Sequence, residues 1–162
     1  MDQYVLVLNC GSSSIKFAII EAKTGVAPLH GLAENLGTPS SKLSFSYQNK
    51  QHIGELPTGA DHQQALLVIA DTLKQFEDLS QQIVAVGHRV VHGGETFTHS
   101  TLIDDLVKQA IGHTSLMAPL HNPANLAGIN SAQATFPDLP HVAVFDTAFF
   151  QTMPKHAYLY AL

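Results

Sequence analysis

Two nearly continuous apolar runs, Tyr4–Leu8 and Ile15–Ile20, flank a short polar insert near the start of the chain. Runs rich in Val and Ile are what strands covered on both faces look like, and the Gly/Ser insert predicts an antiparallel hairpin turning at Cys10–Ser14. Leu43–Tyr47 (LSFSY) alternates apolar and polar positions, which predicts a half-exposed strand followed by a turn at Gln48–Lys50. GTPSSK and LPTG are turn-rich connectors. Leu66, Ile69, Ala70, Leu73 and Phe76 recur at helical spacing, with Asp61 as the candidate cap. Ile83–Val86 and Val142–Phe145 read as further buried strands. Asp104–Ile111 predicts a short helix whose two aspartates suit its positive N-terminus. Asn122–Pro123 predicts another helix start, with Asn as cap and Pro at the first position, running through Leu126 and Ile129. The order of elements predicts an α/β fold, a mixed β-sheet flanked by helices.

Composition narrows the class. A chain of 162 residues, 45% hydrophobic and 13% charged, is long enough to bury a core and too apolar to be disordered. Its formal net charge of -5, with no run of Lys or Arg, argues against nucleic acid as a partner. Cys10 is the only cysteine, so no intramolecular disulfide can form, which suits a reducing compartment. The first apolar run is too short for a membrane span or a signal core and lacks a basic flank, so the expectation is a cytoplasmic protein with no membrane partner.

The apolar runs end on polar residues in a suggestive way. Leu8 leads to Asn9, Val86 to Gly87-His88-Arg89, Phe145 to Asp146, and Ile15 to Lys16. Were the three strands before Asn9, Arg89 and Asp146 parallel, these side chains would gather at one sheet edge, where α/β folds bind ligands. Each alone is equally well read as ordinary strand-end polarity. NCGSSSIK is not a Walker A loop, since it leads into a strand and lacks the required spacing. It is nevertheless suited to phosphate: Gly11 permits a tight turn, Ser12, Ser13 and Ser14 bring hydroxyls, and Lys16 brings a positive charge. Asn9 offers a hard oxygen for Mg²⁺ or its water. A plain Ser/Gly turn is the alternative, and it leaves Lys16 inside an apolar strand unexplained.

In GHRVVHGGETF, Arg89 lies on an apolar strand and needs an anionic partner, a carboxylate of the protein or of a ligand. The chain has ten histidines, but His88 and His92 are four apart on a strand, no Cys or His cluster completes a tetrahedral set and HExxH is absent, which argues against zinc. Asp146 must likewise be paired or bound to something. His121, just before a helix start, could donate to an anion or bond to backbone. Cys10 lacks an identifiable base and reads as a small buried thiol.

VLVLNCGSSSIKF, GHRVVHGGE, APLHNPAN and VFDTAFFQTMP, in this order and spacing, resemble the motifs of the acetate kinase family. That family belongs to the acetate and sugar kinase, Hsc70 and actin superfamily, so the resemblance implies an actin-like (ribonuclease H-like) ATPase domain. It extends from about residue 4 to the end of the chain. It implies that residues 1–162 form the N-terminal domain and that the C-terminal nucleotide-binding domain is absent. The implied reaction is reversible phosphoryl transfer from ATP to acetate, giving acetyl phosphate and ADP, with Mg²⁺ as cofactor and a homodimeric parent enzyme. Carried over by position, Asn9 is associated with the metal, and Ser12, Ser14 and Lys16 bind ATP or phosphate. Arg89 binds the substrate, Val91 and Leu120 border the acyl methyl group, and Asp146 is the catalytic residue. Phe150 departs from the histidine that many members have after FDTAF. Propionate or butyrate kinase would share these motifs. A non-catalytic domain binding small anions is the rival from another class. The isolated chain is expected to be inactive.

Overall fold

The computed structural model describes residues 2–94, 97, 99–116, 119 and 121–149. The predicted hairpin forms, with β1 (Tyr4–Cys10) antiparallel to β2 (Ser14–Glu21) in a register that sets Asn9 opposite Lys16 and Cys10 opposite Ile15. Three further antiparallel strands extend this meander: β3 (Leu29–Glu34), β4 (Lys42–Tyr47) and β5 (Lys50–Gly54). The β4–β5 turn places Gln48 and Asn49 at φ of 49° and 63°, the paired left-handed geometry that matches the twist of a hairpin.

On the other side of β1 the sheet becomes parallel. β6 (Ile83–Val90) pairs with β1, and β8 (His141–Phe145) with β6. The short β7 (Thr101–Leu102) runs antiparallel at the edge, giving the order β5-β4-β3-β2-β1-β6-β8-β7.

The helices reach this sheet through their apolar stripes. α1 (His62–Lys74) begins with a reciprocal cap: Asp61 Oδ1 accepts the Gln64 N–H at 2.8 Å, and Gln64 Oε1 accepts the Asp61 N–H at 3.1 Å. Its Leu66, Ile69 and Leu73 bury against Leu6, Leu8, Phe17 and Leu43 of the sheet. Phe76 of the predicted stripe lies just past the helix, before the short α2 (Glu77–Ser80). α3 (Asp105–His113) is capped by Asp104, which accepts the Val107 N–H at 2.8 Å. With α4 (Asn122–Thr135) it closes a second cluster of Val90, Val107, Ile111, Ile129, Ala143 and Phe145. The four-residue α5 (Asp146–Phe149) follows β8 directly.

The start of α4 differs from expectation. His121, not Asn122, occupies the cap position, and it makes no capping bond through its side chain. Asn122 is fully buried and turned into the protein. It accepts the His92 N–H at 3.2 Å and donates to the His92 carbonyl at 2.9 Å and to Thr114 Oγ1 at 2.8 Å. A carboxamide has both a donor and an acceptor to offer, and here a loop needs both more than the helix end does.

Candidate active site

Alternation along the strands decides which side chains meet. Leu6, Leu8 and Cys10 of β1, Ile15, Phe17 and Ile19 of β2, Val86, His88 and Val90 of β6, and Ala143 and Phe145 of β8 are buried on the helix-covered face. Asn9, Ser14, Lys16 and Arg89 therefore belong to the opposite face. A Cβ built on Gly87 would lie 3.7 Å from Val5 and 3.9 Å from Val7 side-chain atoms, as residues of one shared face should. Asp146 follows Val144 by two residues and reaches the same face, where its carboxylate meets the Arg89 guanidinium.

That pair is the centre of the site. Arg89 Nε donates to Asp146 Oδ1 at 3.0 Å and Oδ2 at 3.2 Å, and Nη2 donates to Oδ2 at 2.7 Å. With 50% and 36% of their side chains exposed, the two groups remain in contact with water, so the pair adds little to stability. Its effect is geometric: the fork is held from one edge, and Nη1 has no protein partner among the described residues. Hydrogen bonds to Asp146 push the Arg89 pKa up while partial burial pulls it down, and the guanidinium stays charged.

The Gly/Ser loop is anchored through its carbonyls. Cys10 O accepts from Asn125 Nδ2 at 2.7 Å, Gly11 O from His62 Nε2 at 2.6 Å, Ser13 O from the Leu36 N–H at 3.0 Å, and Ser14 O from the Gly11 N–H at 2.8 Å. Because a carbonyl only accepts, the proton of the His62 ring sits on Nε2. With the carbonyls engaged inward, Ser12 and Ser13 are exposed on the outside of the loop, and Lys16 stands exposed on the strand that leaves it.

The second half of the site is held by the chain after β6. The Val91 N–H donates to Asn125 Oδ1 at 3.2 Å, and the Gly93 N–H to Thr147 Oγ1 at 3.1 Å. A Cβ on Gly93 would come within 2.8 Å of the Phe145 ring, so glycine is what lets the loop fold over the end of β8. Beneath the site, on the helix-covered face, His88 Nε2 and His141 Nδ1 lie 2.9 Å apart, and His141 Nε2 lies 3.1 Å from the Phe136 carbonyl. The carbonyl fixes a neutral relay in which His141 donates to Phe136 and His88 donates to His141. Burial and the neighbouring His141 lower the His88 pKa to about 3, and burial lowers that of His141. Burial pushes the Cys10 thiol up to about 12, as expected of an inert core thiol.

Of the residues read from the sequence, Asn9, Ser12, Ser14, Lys16, Arg89, Val91 and Asp146 all fall at this end of the sheet, on the loop, on strands β1, β2 and β6, or directly after β6 and β8. Leu120 and Phe150 lie outside the described residues. The sequence reading missed Asn125 and His62, and gave Asn122 the wrong task. The signal was present in HNPAN, where two Asn side chains three apart share one helix face.

Among the described residues no group of three or more His, Cys, Asp or Glu converges on a common point. Both Asp146 oxygens accept from Arg89, and the Asn9 carboxamide and the Ser12 and Ser14 hydroxyls add hard oxygens at this end of the sheet. Such a set fits Mg²⁺ that keeps most of its water and arrives on phosphates, and does not fit a resident ion in a protein cage.

The polar cluster lies at the ends of the parallel strands of this mixed sheet, the place where α/β folds bind ligands. Residues 4–162 match the family model described as Acetokinase family, and the chain belongs to that family. It is 53% identical to acetate kinase 1 of Vibrio cholerae over all of this chain and 41% of that protein. It is 52% identical to acetate kinase of Shewanella loihica over 99% of this chain and 41% of that protein. Among solved structures, a propionate kinase from Francisella tularensis superposes with a TM-score of 0.89 at 44% identity, covering 99% of this chain and 41% of that one. Acetate kinase of Porphyromonas gingivalis gives 0.88 at 42% identity, with the same coverage. The fold is thus the actin-like ATPase fold, and the chain spans about 41% of the length of the curated relatives it matches.

Proposed function

We propose that this chain supplies the acyl-phosphate side of an acetate kinase active site, where ATP and acetate interconvert with ADP and acetyl phosphate. The observation that carries the reading is the Arg89–Asp146 fork at the ends of parallel strands, beside Asn9, Lys16 and the serine loop. In the forward direction an acetate oxygen bonds to the γ-phosphorus as the bond from phosphorus to the ADP oxygen breaks. Acetate is already ionised at neutral pH, so the acceptor needs orientation and charge neutralisation and no general base.

Arg89 would hold the carboxylate, and later the acyl phosphate, through donors that Asp146 leaves available. Asp146 acts by fixing that fork, since both its oxygens are already accepting. Lys16 with the Ser12 and Ser14 hydroxyls would bind the phosphoryl oxygens. Mg²⁺ carried by the nucleotide phosphates would neutralise charge on the transferring group, with Asn9 contacting it directly or through water. Val91 would border the methyl group. The superposition on a propionate kinase supports a second reading, in which the acyl pocket takes one carbon more.

Calorimetric titration of acetyl phosphate into this chain tests the proposal. Arg89→Ala should weaken binding about 10- to 100-fold, the range of a lost charge-assisted pair, while Ser13→Ala should change it less than about threefold. Equal losses would remove Arg89 from its assigned role. In an assay with ATP, Mg²⁺ and acetate, the chain alone should turn over far below about 1 per second. A rate at or above that would mean that this cleft needs no opposing wall.

A further inference from the structure

We propose that Asn125 is a positioning residue that locks the serine loop to the strand bearing Arg89, so that one ligand can be gripped by both. The backbone ladder stops short of the loop. The parallel pairing of β1 with β6 ends at Leu8 opposite His88, so no rung of the sheet ties Cys10 to Val91 beyond it. Asn125 supplies that link through a side chain. Its Nδ2 donates to the Cys10 carbonyl at 2.7 Å and its Oδ1 accepts the Val91 N–H at 3.2 Å. A carbonyl can only accept and an amide N–H only donate, so the two bonds fix the orientation of the carboxamide.

Asn125 is 4% exposed, in the first turns of α4, and a buried carboxamide is costly unless both its ends are matched. The helix comes close enough because of Gly128, one turn further on the same face. A Cβ at Gly128 would sit 2.5 Å from both Cβ and Sγ of Cys10. Asn122, one turn earlier, grips both backbone groups of His92. The same helix face thus holds the continuation of β6 at two points and reaches the phosphate loop at one. Asn125 is uncharged, so it acts on the distance between loop and Arg89 and not on the field that a ligand meets.

The ligand consequence rests on the function proposed above: acetyl phosphate should bridge loop and Arg89, whereas inorganic phosphate and acetate each need one of them. Two variants of this chain separate the bonds from mere space-filling, Asn125→Leu, which keeps the volume, and Asn125→Ala, which does not. Amide hydrogen exchange of the free protein, followed by NMR, should show Gly11 and Val91 exchanging about tenfold faster in both variants, with β3 amides unchanged. Acetyl phosphate should bind about tenfold more weakly to Asn125→Leu, while inorganic phosphate and acetate stay within about threefold. Unchanged Gly11 exchange, a uniform acceleration of all amides, or equal weakening of the three ligands overturns the proposal. If exchange behaves as expected but the unmodified chain binds no acetyl phosphate, the locking role stands and the kinase reading fails.

Discussion

Acidification should destabilise this protein already above the range in which carboxylates titrate, and the cause is the His88–His141 relay. Both rings are buried and neutral: a proton on His141 Nδ1 would break the His88–His141 bond, and one on His88 Nδ1 would put a charge in the apolar core. The unfolded chain takes up protons on these rings at the ordinary histidine pKa of 6.5, whereas folded His88 holds out to about 3. The folded state therefore binds fewer protons between these limits, and stability is full above 6.5 and falls as pH drops toward 3. At pH 5 the gap below 6.5 costs about 2 kcal/mol for His88 alone, with His141 adding in the same direction. For a chain of this size that corresponds to a fall in Tm of roughly 4–8 °C. Urea unfolding at pH 7.5, 6.5, 5.5 and 5.0, with the double variant His88→Phe/His141→Leu alongside, measures the slope. Stability independent of pH across this window, or an equal slope in the double variant, would refute the reasoning.

Two glycines in helices should respond in opposite directions. Gly128→Ala should destabilise by about 1–3 kcal/mol because its methyl has no room beside Cys10. Gly112→Ala, inside α3 with only Leu126 at 3.9 Å, should stabilise by about 0.5–1 kcal/mol, both read from urea unfolding. The Cys10 thiol, buried and with its pKa near 12, should resist a thiol reagent in the native protein at pH 8 and react promptly in denaturant.

Strands with bulky inward faces were legible in the sequence, and strands with small ones were not. β1, β2, β4 and β6 carry Leu, Ile, Phe or Val at most of their buried positions, and β8 was legible through Phe145 and the two valines beside its buried Ala143. β3 was missed because the residues it turns inward are Leu29, Gly31 and Ala33. A Cβ on Gly31 would strike the Phe17 ring at 2.4 Å and Phe45 at 2.7 Å, so a small residue there makes room for two aromatics supplied by other strands. Such complementarity lies between strands and leaves no local pattern. β5 was missed because its side chains are mostly exposed.

The same distinction runs through the site. Asn9, Arg89 and Asp146 stood out because a polar residue ending an apolar run is a local anomaly. Asn125 and His62 looked ordinary at the starts of their helices, and their partners, Cys10 and Gly11, are contributed by backbone carbonyls that no sequence displays. Asn122 was noticed for its helix and not for the loop thirty residues away that it serves.

The strand order also dictates when the site can exist during folding. The β1–β5 meander closes by hairpins between neighbours in sequence, each requiring little loop entropy. Asn9 and Arg89 come instead from β1 and β6 and Asp146 from the residue after β8, joined only by parallel pairings across long intervening segments, and Asn125 meets Cys10 at a separation of 115 residues. Contacts of that range form late and slowly, because the chain between them must be ordered before they bring any gain. Pulse-labelling hydrogen exchange should find β2 and β3 amides protected before those of β6, with the Gly11 and Val91 amides among the last. Each newly made chain would thus acquire the five-stranded meander before the Arg89–Asp146 pair and the Asn125 link, and an interrupted folding event would leave a partly structured protein without its candidate site.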